Sequence, residues 1–336
     1  MTFLPIVERE LRVAARKPNT FWLRIIAALV ALTIGGGGLG LTMTLPFGMT
    51  QLGSVLFGLL TWLSLAAALS AGLFFTSDCV SEEKRDGTLG FLFLTDLRGY
   101  DVVLGKLLAT SLRCFFALLA IFPILAITML MGGVAAPQFW KTVLALVNAL
   151  FFSLAVGMFV SAISRDSQKA LGATLLFLLL LIFGGPVVDT AVAAINDRTF
   201  RPFLSLCSPG FVFVWADRWG DTFWLGLLTN QVIVWLLLGL ACALVPRTWQ
   251  QRHTSNTVSH GSWAYSWRYG SVKRRLLLRQ RLLGRSPVLW LACRERWQSL
   301  VIWMVTTFVL AGFCAMLLAG LGTAVVGWIR RRRTLS

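Results

Sequence analysis

The residues best able to do chemistry in this chain are charged side chains between residues 77 and 106. Six of the chain's 14 acidic side chains fall in this stretch, interleaved with basic ones. No histidine, metal-ligand spacing or nucleophile motif accompanies them, so the chemistry they predict is recognition by charge rather than catalysis. Such a stretch is typical of a solvated surface that another protein recognises. The acids are Asp78, Glu82, Glu83, Asp86, Asp96 and Asp101, and the bases are Lys84, Arg85, Arg98 and Lys106.

No catalytic or metal-binding motif occurs elsewhere in the sequence. The two histidines, His253 and His260, have no carboxylate or cysteine spaced to complete a metal site. The six cysteines lack paired spacing, which argues against a disulfide framework. The four glycines at 35–38 lie in an apolar run without a following Gly-Lys-Ser or Gly-Lys-Thr, and they predict close helix packing. We therefore expect no cofactor, and any ATP must bind to another chain.

Composition places these residues on a membrane protein. Hydrophobic residues make up 57% of the 336 positions, charged residues make up 13%, and the mean hydropathy is +0.76. These values are far from those of a soluble domain. The net charge of +17 does not indicate nucleic-acid binding, because the lysines and arginines fall between apolar runs, as in cytoplasmic loops. The expected fold class is an all-α polytopic membrane protein.

Six apolar runs are long enough to cross the hydrocarbon core, which takes about 20 residues. They cover about 21–45, 52–76, 107–131, 140–163, 170–188 and 223–245, and a seventh covers about 300–328. Loops at 46–51 and 132–138 join the first two pairs into hairpins. The amino terminus and segments 77–106, 164–169 and 247–297 are expected to face the cytoplasm, because basic residues concentrate there, most of all in the last.

The first 20 residues predict an amphipathic helix in the membrane interface, with Glu8, Arg9 and Glu10 among its polar residues. The charged region of this segment contains acidic residues, which signal peptides lack there, so we do not expect a signal peptide. Arg24 and Arg113 lie inside spans, where they are expected to extend to the headgroups, with gating or substrate contact as the alternative. Asp189 lies at the far end of the fifth apolar run and is expected to mark the exit of this span from the membrane rather than a proton relay. The mixed aromatic and charged region 187–221 predicts one or two short amphipathic helices, broken at 208–210, that cover the extracytoplasmic mouth.

The polar stretch resembles the first cytoplasmic loop of type-2 ABC transporter permeases. The family pattern is Glu-x-x-x-Gly-Thr-Leu, a Leu-rich helical turn and a closing Gly-Lys. Here it reads Glu83-Lys84-Arg85-Asp86-Gly87-Thr88-Leu89, then Leu92-Phe93-Leu94-Thr95, and finally Gly105-Lys106. Glu8 to Leu11 and Ser208-Pro209 add two further similarities, and the resemblance covers about residues 1–246.

The resemblance implies a six-helix ABC-2 transmembrane domain. It adds an amphipathic amino-terminal interfacial helix, a cytoplasmic coupling helix that docks in a cleft of an ATP-binding subunit, and short extracytoplasmic helices before span six. Gly87 is expected to end one helix and Thr88 to cap the next. The alternative is a capped helix lying on the bilayer, against which its acidity counts. Residues matched to ATPase coupling are Glu82, Glu83, Asp86, Gly87, Thr88, Leu89, Leu92, Leu94, Thr95 and Arg98, and those matched to loop closure are Gly105 and Lys106.

Two features depart from the family pattern. Asp96 stands where the family usually has proline, which bears on the turn after the coupling helix. Beyond the permease domain at 21–246 come a basic linker at 247–297 and a further hydrophobic segment at 298–336, which repeats the amino-terminal pattern of charges before an apolar span. The terminal arginines favour a bent, re-entrant or truncated last segment over a single crossing.

The sequence therefore predicts the permease subunit of an ATP-driven exporter, not itself an enzyme, in a bacterial plasma membrane. Its expected partners are the lipid membrane, two copies of a separate ABC ATPase and a second permease, identical or related, but no nucleic acid. The alternatives are a non-transport membrane scaffold and an orphan permease-like protein that has lost its ATPase. An intramembrane enzyme would need polar catalytic residues deep in the spans, and the sequence offers none.

Overall fold

The computed structural model describes residues 49–87, 98–164, 166–195, 202–216 and 220–248, together with the single positions 12, 25, 29, 32, 33 and 307. All of these except 307 belong to one compact unit of the chain. Among the described residues every regular element is helical, and five helical stretches are long and apolar enough to cross a membrane. The all-α polytopic prediction is confirmed. Apart from those single positions and 247–248, the interfacial helix, the first and seventh predicted spans and the linker lie outside the described residues.

The helices follow the second to sixth predicted apolar runs. Helix α1 is Met49–Ala71 and continues as a π-helical turn at Gly72–Thr76, α2 is Ser81–Asp86, α3 is Gly99–Leu119, α4 is Phe122–Leu130, α5 is Ala136–Ile163 and α6 is Ser167–Ile195. A 3₁₀ turn at Leu204–Cys207 precedes α7 at Pro209–Trp215 and α8 at Thr222–Thr248. The five candidate spans are α1 with its extension, α3 with α4, α5, α6 and α8.

Helix α5 is the centre of the bundle. Of the 18 most apolar consecutive residues of α5, 78% are buried, compared with 28% to 56% of the corresponding residues in the other four spans. Phe152, Leu154 and Met158 are fully enclosed. By contrast, α6 exposes Leu176, Leu180 and Phe183, as expected of side chains that face lipid. The other helices are therefore arranged around α5.

Helices α1 and α5 make a close backbone contact. Ser153 Oγ donates to Ala68 O at 2.6 Å, and Thr76 Oγ1 donates to Leu154 O at 3.1 Å. Between these bonds, a Cβ added to Gly72 or Gly157 would collide with the facing backbone. The contacting residues ascend together in both helices, so the pair runs parallel. Small residues allow this approach, and both helices finish at the end of the bundle where residues 77–87 lie, here called the loop end.

The third predicted span begins earlier than expected and is interrupted. Helix α3 starts at Gly99 instead of residue 107, and the chain turns at 120–121 before α4 begins. Pro123 occupies the first turn of α4, where its missing N–H has no intrahelical role. The predicted loop after this span is confirmed, since Gly132 and Gly133 have φ of 87° and 90° and α5 begins at Ala136.

Asp189, which is predicted to mark the exit of the fifth span from the membrane, lies inside helix α6. Helix α6 continues through Pro186 to Ile195, and the Asp189 side chain is buried. Proline cannot donate to the Ile182 carbonyl four residues before it, but Ser208 Oγ donates to that oxygen at 2.7 Å. A residue from outside the helix thus replaces the missing bond, which is how proline is tolerated in a spanning helix.

Asp189 also holds the segment that follows. Its carboxylate accepts hydrogen bonds from the backbone N–H groups of Phe203 at 2.8 Å, Leu204 at 3.3 Å and Ser205 at 2.8 Å, and from Ser205 Oγ at 2.6 Å. Four donors compensate the burial of the carboxylate. Residues 203–208 are therefore fixed to α6 at the end of the bundle opposite the loop end.

The break predicted at 208–210 is present. Ser208 lies between the 3₁₀ turn and α7, and its Oγ accepts from Phe211 N at 3.4 Å as the N-cap of α7. Pro209 follows in the first turn. Phe211 and Val212 are buried, and a Cβ on Gly226 of α8 would come within 2.8 Å of Val212 Cγ2. The short helices thus pack closely on α8.

Candidate functional site

The charged stretch begins with the short helix α2, whose sequence suits its ends. Glu82 and Glu83 lie in the first turn, and Lys84 and Arg85 lie in the last, so both sets of charges favour the helix dipole. Gly87 ends the helix with φ of 72°, a left-handed conformation that glycine adopts without steric cost. The prediction that Gly87 ends a helix is confirmed. The residue expected to cap the next helix, Thr88, lies outside the described residues.

Helix α2 is bound to the last turn of α5. Ser161 Oγ accepts from Val80 N at 2.9 Å and from Ser81 N at 3.1 Å, so a side chain of another helix satisfies N–H groups at the start of α2. The Lys84 side chain is buried and Nζ donates to Ala162 O. A lysine ammonium near the carbonyl end of α5 also favours the dipole of that helix. The contact therefore fixes α2 at both of its ends.

Two further bonds tie the same stretch to other helices. Asp78 accepts from Ser167 Oγ at 2.6 Å, which links it to the first residue of α6. Glu83 Oε1 lies 2.8 Å from Lys106 Nζ, and Lys106 also donates to Cys79 O at 2.8 Å. The side chains of Lys106 and Glu83 are only 14% and 21% exposed, so the pair is shielded more than most surface ion pairs. The start of the loop is thus attached to α3, α5 and α6.

The loop returns at α3, which is fixed to α8. Arg98 N donates to Asp101 Oδ2 at 3.0 Å, and this carboxylate stabilises the first turn of α3. Gly99 is buried against the end of α8, since an added Cβ would lie 2.6 Å from Pro246 Cγ and 2.7 Å from Cys242 O. Only a residue without a side chain permits this approach. The start of segment 88–97 is therefore held by α3, α5 and α6, and its return packs against α8.

Comparison with known proteins identifies the family of this chain. The profile of the family described as "ABC-2 family transporter protein" matches residues 41–219, more than half of the chain. The chain belongs to this family. The sequence resemblance is thereby confirmed, and the protein is a membrane permease of an ABC transporter. No curated protein matches the permease.

Membership also defines what the permease is not. The family is a membrane transport component that is not itself catalytic, and it generally works with an ABC ATPase. Among the described residues, no group of three or more His, Cys, Asp and Glu side chains is placed to hold a metal ion. With five apolar helices, the permease is an integral membrane protein.

The residues predicted for coupling, for loop closure and for the interfacial helix divide into three groups in the permease. Glu82, Asp86, Gly87 and Arg98 are exposed. Glu83 and Lys106, which were assigned to coupling and to loop closure, pair with each other, while Gly105 is buried in α3. The third group lies outside the described residues and comprises Thr88, Leu89, Leu92, Leu94, Thr95, Glu8, Arg9 and Glu10.

Sequence reasoning missed the residues that attach the loop to the bundle. Lys84 and Asp78 were noted for their charge alone, and Ser161 and Ser167 were not noted at all. Their partners are about 80 to 90 residues away in the chain, as in Val80 with Ser161 and Asp78 with Ser167. One signal was present, because segments 77–106 and 164–169 were both predicted on the cytoplasmic side, which brings their flanking serines to the same end.

Proposed function

We propose that the permease is the transport subunit of an ATP-driven exporter and that a separate ABC ATPase acts on it through residues 82–98. The attachment of this segment carries the proposal. Its start is fixed to α3, α5 and α6 through Glu83, Lys84 and Asp78, and its return is fixed to α8 through Gly99. A force on the segment would reach four of the five described spans. A loosely attached loop would absorb the displacement instead.

The docking surface would combine the exposed charges with the apolar residues between them. Glu82, Asp86 and Arg98 are exposed and flank segment 88–97. Charges of both signs around an apolar centre are typical of interfaces, where the charges set register and the apolar residues provide affinity. We assign the apolar contact to Leu89, Leu92 and Leu94, with Thr88 and Thr95 bounding it. Glu83 and Lys106 are assigned a different task, which is to brace the segment against α3.

Copurification tests the docking surface. The tagged permease is expressed in its native host and extracted in mild detergent, with Glu82→Arg and Leu92→Arg as test variants, and the ABC ATPase retained with it is quantified. Both are expected to lower the retained ATPase at least tenfold, because a misplaced charge at a contact costs about 1.4 kcal/mol or more. Asp166→Arg is the matched control, since Asp166 is an exposed acid at the same end with a side chain 52% exposed. Equal retention in all three variants would contradict the docking proposal.

The wider architecture is proposed on the same basis. The permease would have six spans, with 21–45 as the first, and an interfacial helix at 1–20 containing Glu8, Arg9 and Glu10. The loop end would face the cytoplasm of a bacterial plasma membrane. Segment 202–216, which Asp189 holds to α6, would then cover the extracytoplasmic mouth. Two permease copies, or one with a related chain, would bind two ATPases, and 247–297 and 298–336 would form a linker and an added hydrophobic segment.

The competing functions are a membrane scaffold and an orphan permease without an ATPase. Both predict that no ATPase is retained by the wild-type chain, whichever residues are changed. Export is tested separately by loading right-side-out and inside-out vesicles with fluorescent lipids and adding ATP on the side of the loop end. An exporter moves the lipid away from the side of the loop end, which gives efflux from right-side-out vesicles and accumulation in inside-out vesicles. Such transport that needs ATP and is lost in Leu92→Arg supports the proposal, whereas ATP-driven transport toward the loop end contradicts it.

A further inference from the structure

The interiors of the described spans contain three amide side chains, one in α5 and two adjacent ones in α8. Asn148 is in the middle of α5, and Asn230 and Gln231 are in α8. Gln231 Nε2 donates to Asn148 Oδ1 at 2.8 Å. Amides are costly in hydrocarbon unless they are paired. Their convergence therefore calls for a physical reason.

The register of the two helices places Asn230 level with Asn148. Near the start of both helices, Nζ of Lys141 in α5 lies 5.7 Å from the ring centroid of Phe223 in α8. Asn148 and Asn230 each follow these residues by seven positions, which is about two turns in both helices. Since α5 and α8 run in the same direction, the two asparagines lie at the same height. Gln231 is then the neighbour of Asn230 around α8.

The hydrogen bonds of this cluster are incomplete. Asn230 is fully buried, with 0% of its surface exposed, and neither its Oδ1 nor its Nδ2 has a partner among the described residues. The same is true of Asn148 Nδ2. Each unpaired buried group costs about 1–3 kcal/mol. The unpaired groups are complementary, because Asn148 Nδ2 is a donor and Asn230 Oδ1 is an acceptor.

We infer that Asn148 exchanges hydrogen-bond partners when α8 turns against α5 during transport. In the first position, the one described here, Gln231 bonds to Asn148. In the second position, α8 turns about its axis by less than the 100° that separates neighbouring residues, and Asn230 takes over the bond. Asn230 and Gln231 are therefore positioning residues, each stabilising one orientation of α8.

The two helices are attached to opposite ends of the proposed coupling segment. Helix α5 is fixed to α1 at Gly157 and to α2 through Ser161, whereas the end of α8 packs on Gly99. Movement of residues 88–98 relative to α2 would thus act on α8 through Gly99, while α5 stays with α2. What drives the exchange rests on the proposed function, but the exchange itself is an equilibrium of the permease alone.

A static role for the amides makes different predictions. Polar side chains often hold membrane helices together, with bonds worth on average about 0.6 kcal/mol. Such a contact has one arrangement, so removing Gln231 would loosen it and removing the unpaired Asn230 would not shift α8. An exchange has two arrangements, so the two removals must shift the population in opposite directions.

Spin-label distances measure that population. Labels are attached at Lys169→Cys in α6 and Arg247→Cys in α8, both exposed at the loop end, in full-length permease whose six native cysteines are replaced. Double electron–electron resonance in nanodiscs then gives the distance distribution. We expect Gln231→Leu to raise the ratio of second to first position about threefold and Asn230→Leu to lower it about threefold, the factor expected from one such bond. Alanine at each position is the second variant if leucine impairs folding.

Two controls complete the design. In an Asn148→Leu background both effects should vanish, since neither amide has its partner. Trp235→Leu changes a side chain of α8 that is 66% exposed and should leave the distribution unchanged. A single distance in every variant, shifts of the same sign, or shifts that persist without Asn148 would overturn the inference. Adding the ATPase and ATP tests whether ATP hydrolysis drives the exchange. If Gln231→Leu and Asn230→Leu shift the distance distribution in opposite directions but ATP does not change it, the exchange is supported and the coupling proposal is contradicted.

Discussion

Substituting Gly99 by alanine gives a direct test of how the coupling segment is attached to the bundle. The new Cβ would lie 2.6 Å from Pro246 Cγ, 2.7 Å from Cys242 O and 2.8 Å from Pro246 Cδ. Van der Waals contact needs about 3.5–4.0 Å. A proline ring and a backbone carbonyl cannot rotate away, so α3 must move from α8 by about 1 Å, judged from that difference.

The cost follows from comparison with glycines that have room. Overpacking of this kind costs about 1–3 kcal/mol. Alanine also favours a helix over glycine by up to about 1 kcal/mol, which partly hides the clash. Gly58 and Gly239 lie inside their helices, where alanine gains this propensity in full, and no atom lies within 4 Å of the added Cβ at either site. Gly99 is the first residue of α3, where the gain is smaller, so Gly99→Ala should be less stable than these controls by at least about 1 kcal/mol in the free energy of unfolding.

Thermal or denaturant unfolding of the purified permease in one detergent measures this difference. Gly99→Ala should unfold more easily than the wild type, and both controls should unfold at or above the wild-type midpoint. Retained ATPase is the second readout, because a shifted α3 would displace Arg98 and the docking surface with it. If Gly99→Ala is as stable as Gly58→Ala and keeps its ATPase, then α3 does not pack on α8 as described.

Two further substitutions test the other attachments. Lys84→Met should remove the donor to Ala162 O and destabilise the permease by about 1–3 kcal/mol, which is measured as a lower unfolding midpoint. The control is Arg85→Met, which changes an exposed side chain and should alter stability by about 0.5 kcal/mol or less. Equal effects of the two substitutions would contradict the buried role of Lys84. Asp189→Asn replaces a carboxylate that accepts four hydrogen bonds, so hydrogen exchange of the backbone amides of residues 203–205 should become at least tenfold faster. Asp221→Asn, at an exposed position, is the control. Unchanged exchange in Asp189→Asn would show that the carboxylate does not hold that segment.

Several parts of the fold were predictable because their signals are local. Five apolar runs became spanning helices, since the length and composition of a run suffice to predict a span. Gly87 ends a helix and Ser208 begins one because capping depends on a residue and its nearest neighbours. The family was predictable from an ordered set of short motifs in the same way, and the profile match confirms it.

Other parts could not be predicted because their causes are distant in the chain. The extension of α6 through Pro186 to Ile195 was not predicted, since nothing near Pro186 indicates that Ser208 replaces its missing hydrogen bond. Glu83 was matched to ATPase coupling through the family motif, and nothing near it in the chain indicates that Lys106 pairs with it. In both cases a residue some 20 positions or more away decided the environment of a polar group.

The sequence by itself determined the class of the protein, its family and the five spans that the structure describes. These follow from hydropathy, charge distribution and residues adjacent in the chain, which act at short range. The tertiary structure alone decided how the charged stretch is held, through Lys84 on α5, Asp78 on α6 and Gly99 on α8. It alone brought Asn148 to Asn230 and Gln231. Both depend on which helices become neighbours, and packing of the whole bundle around α5 sets that choice.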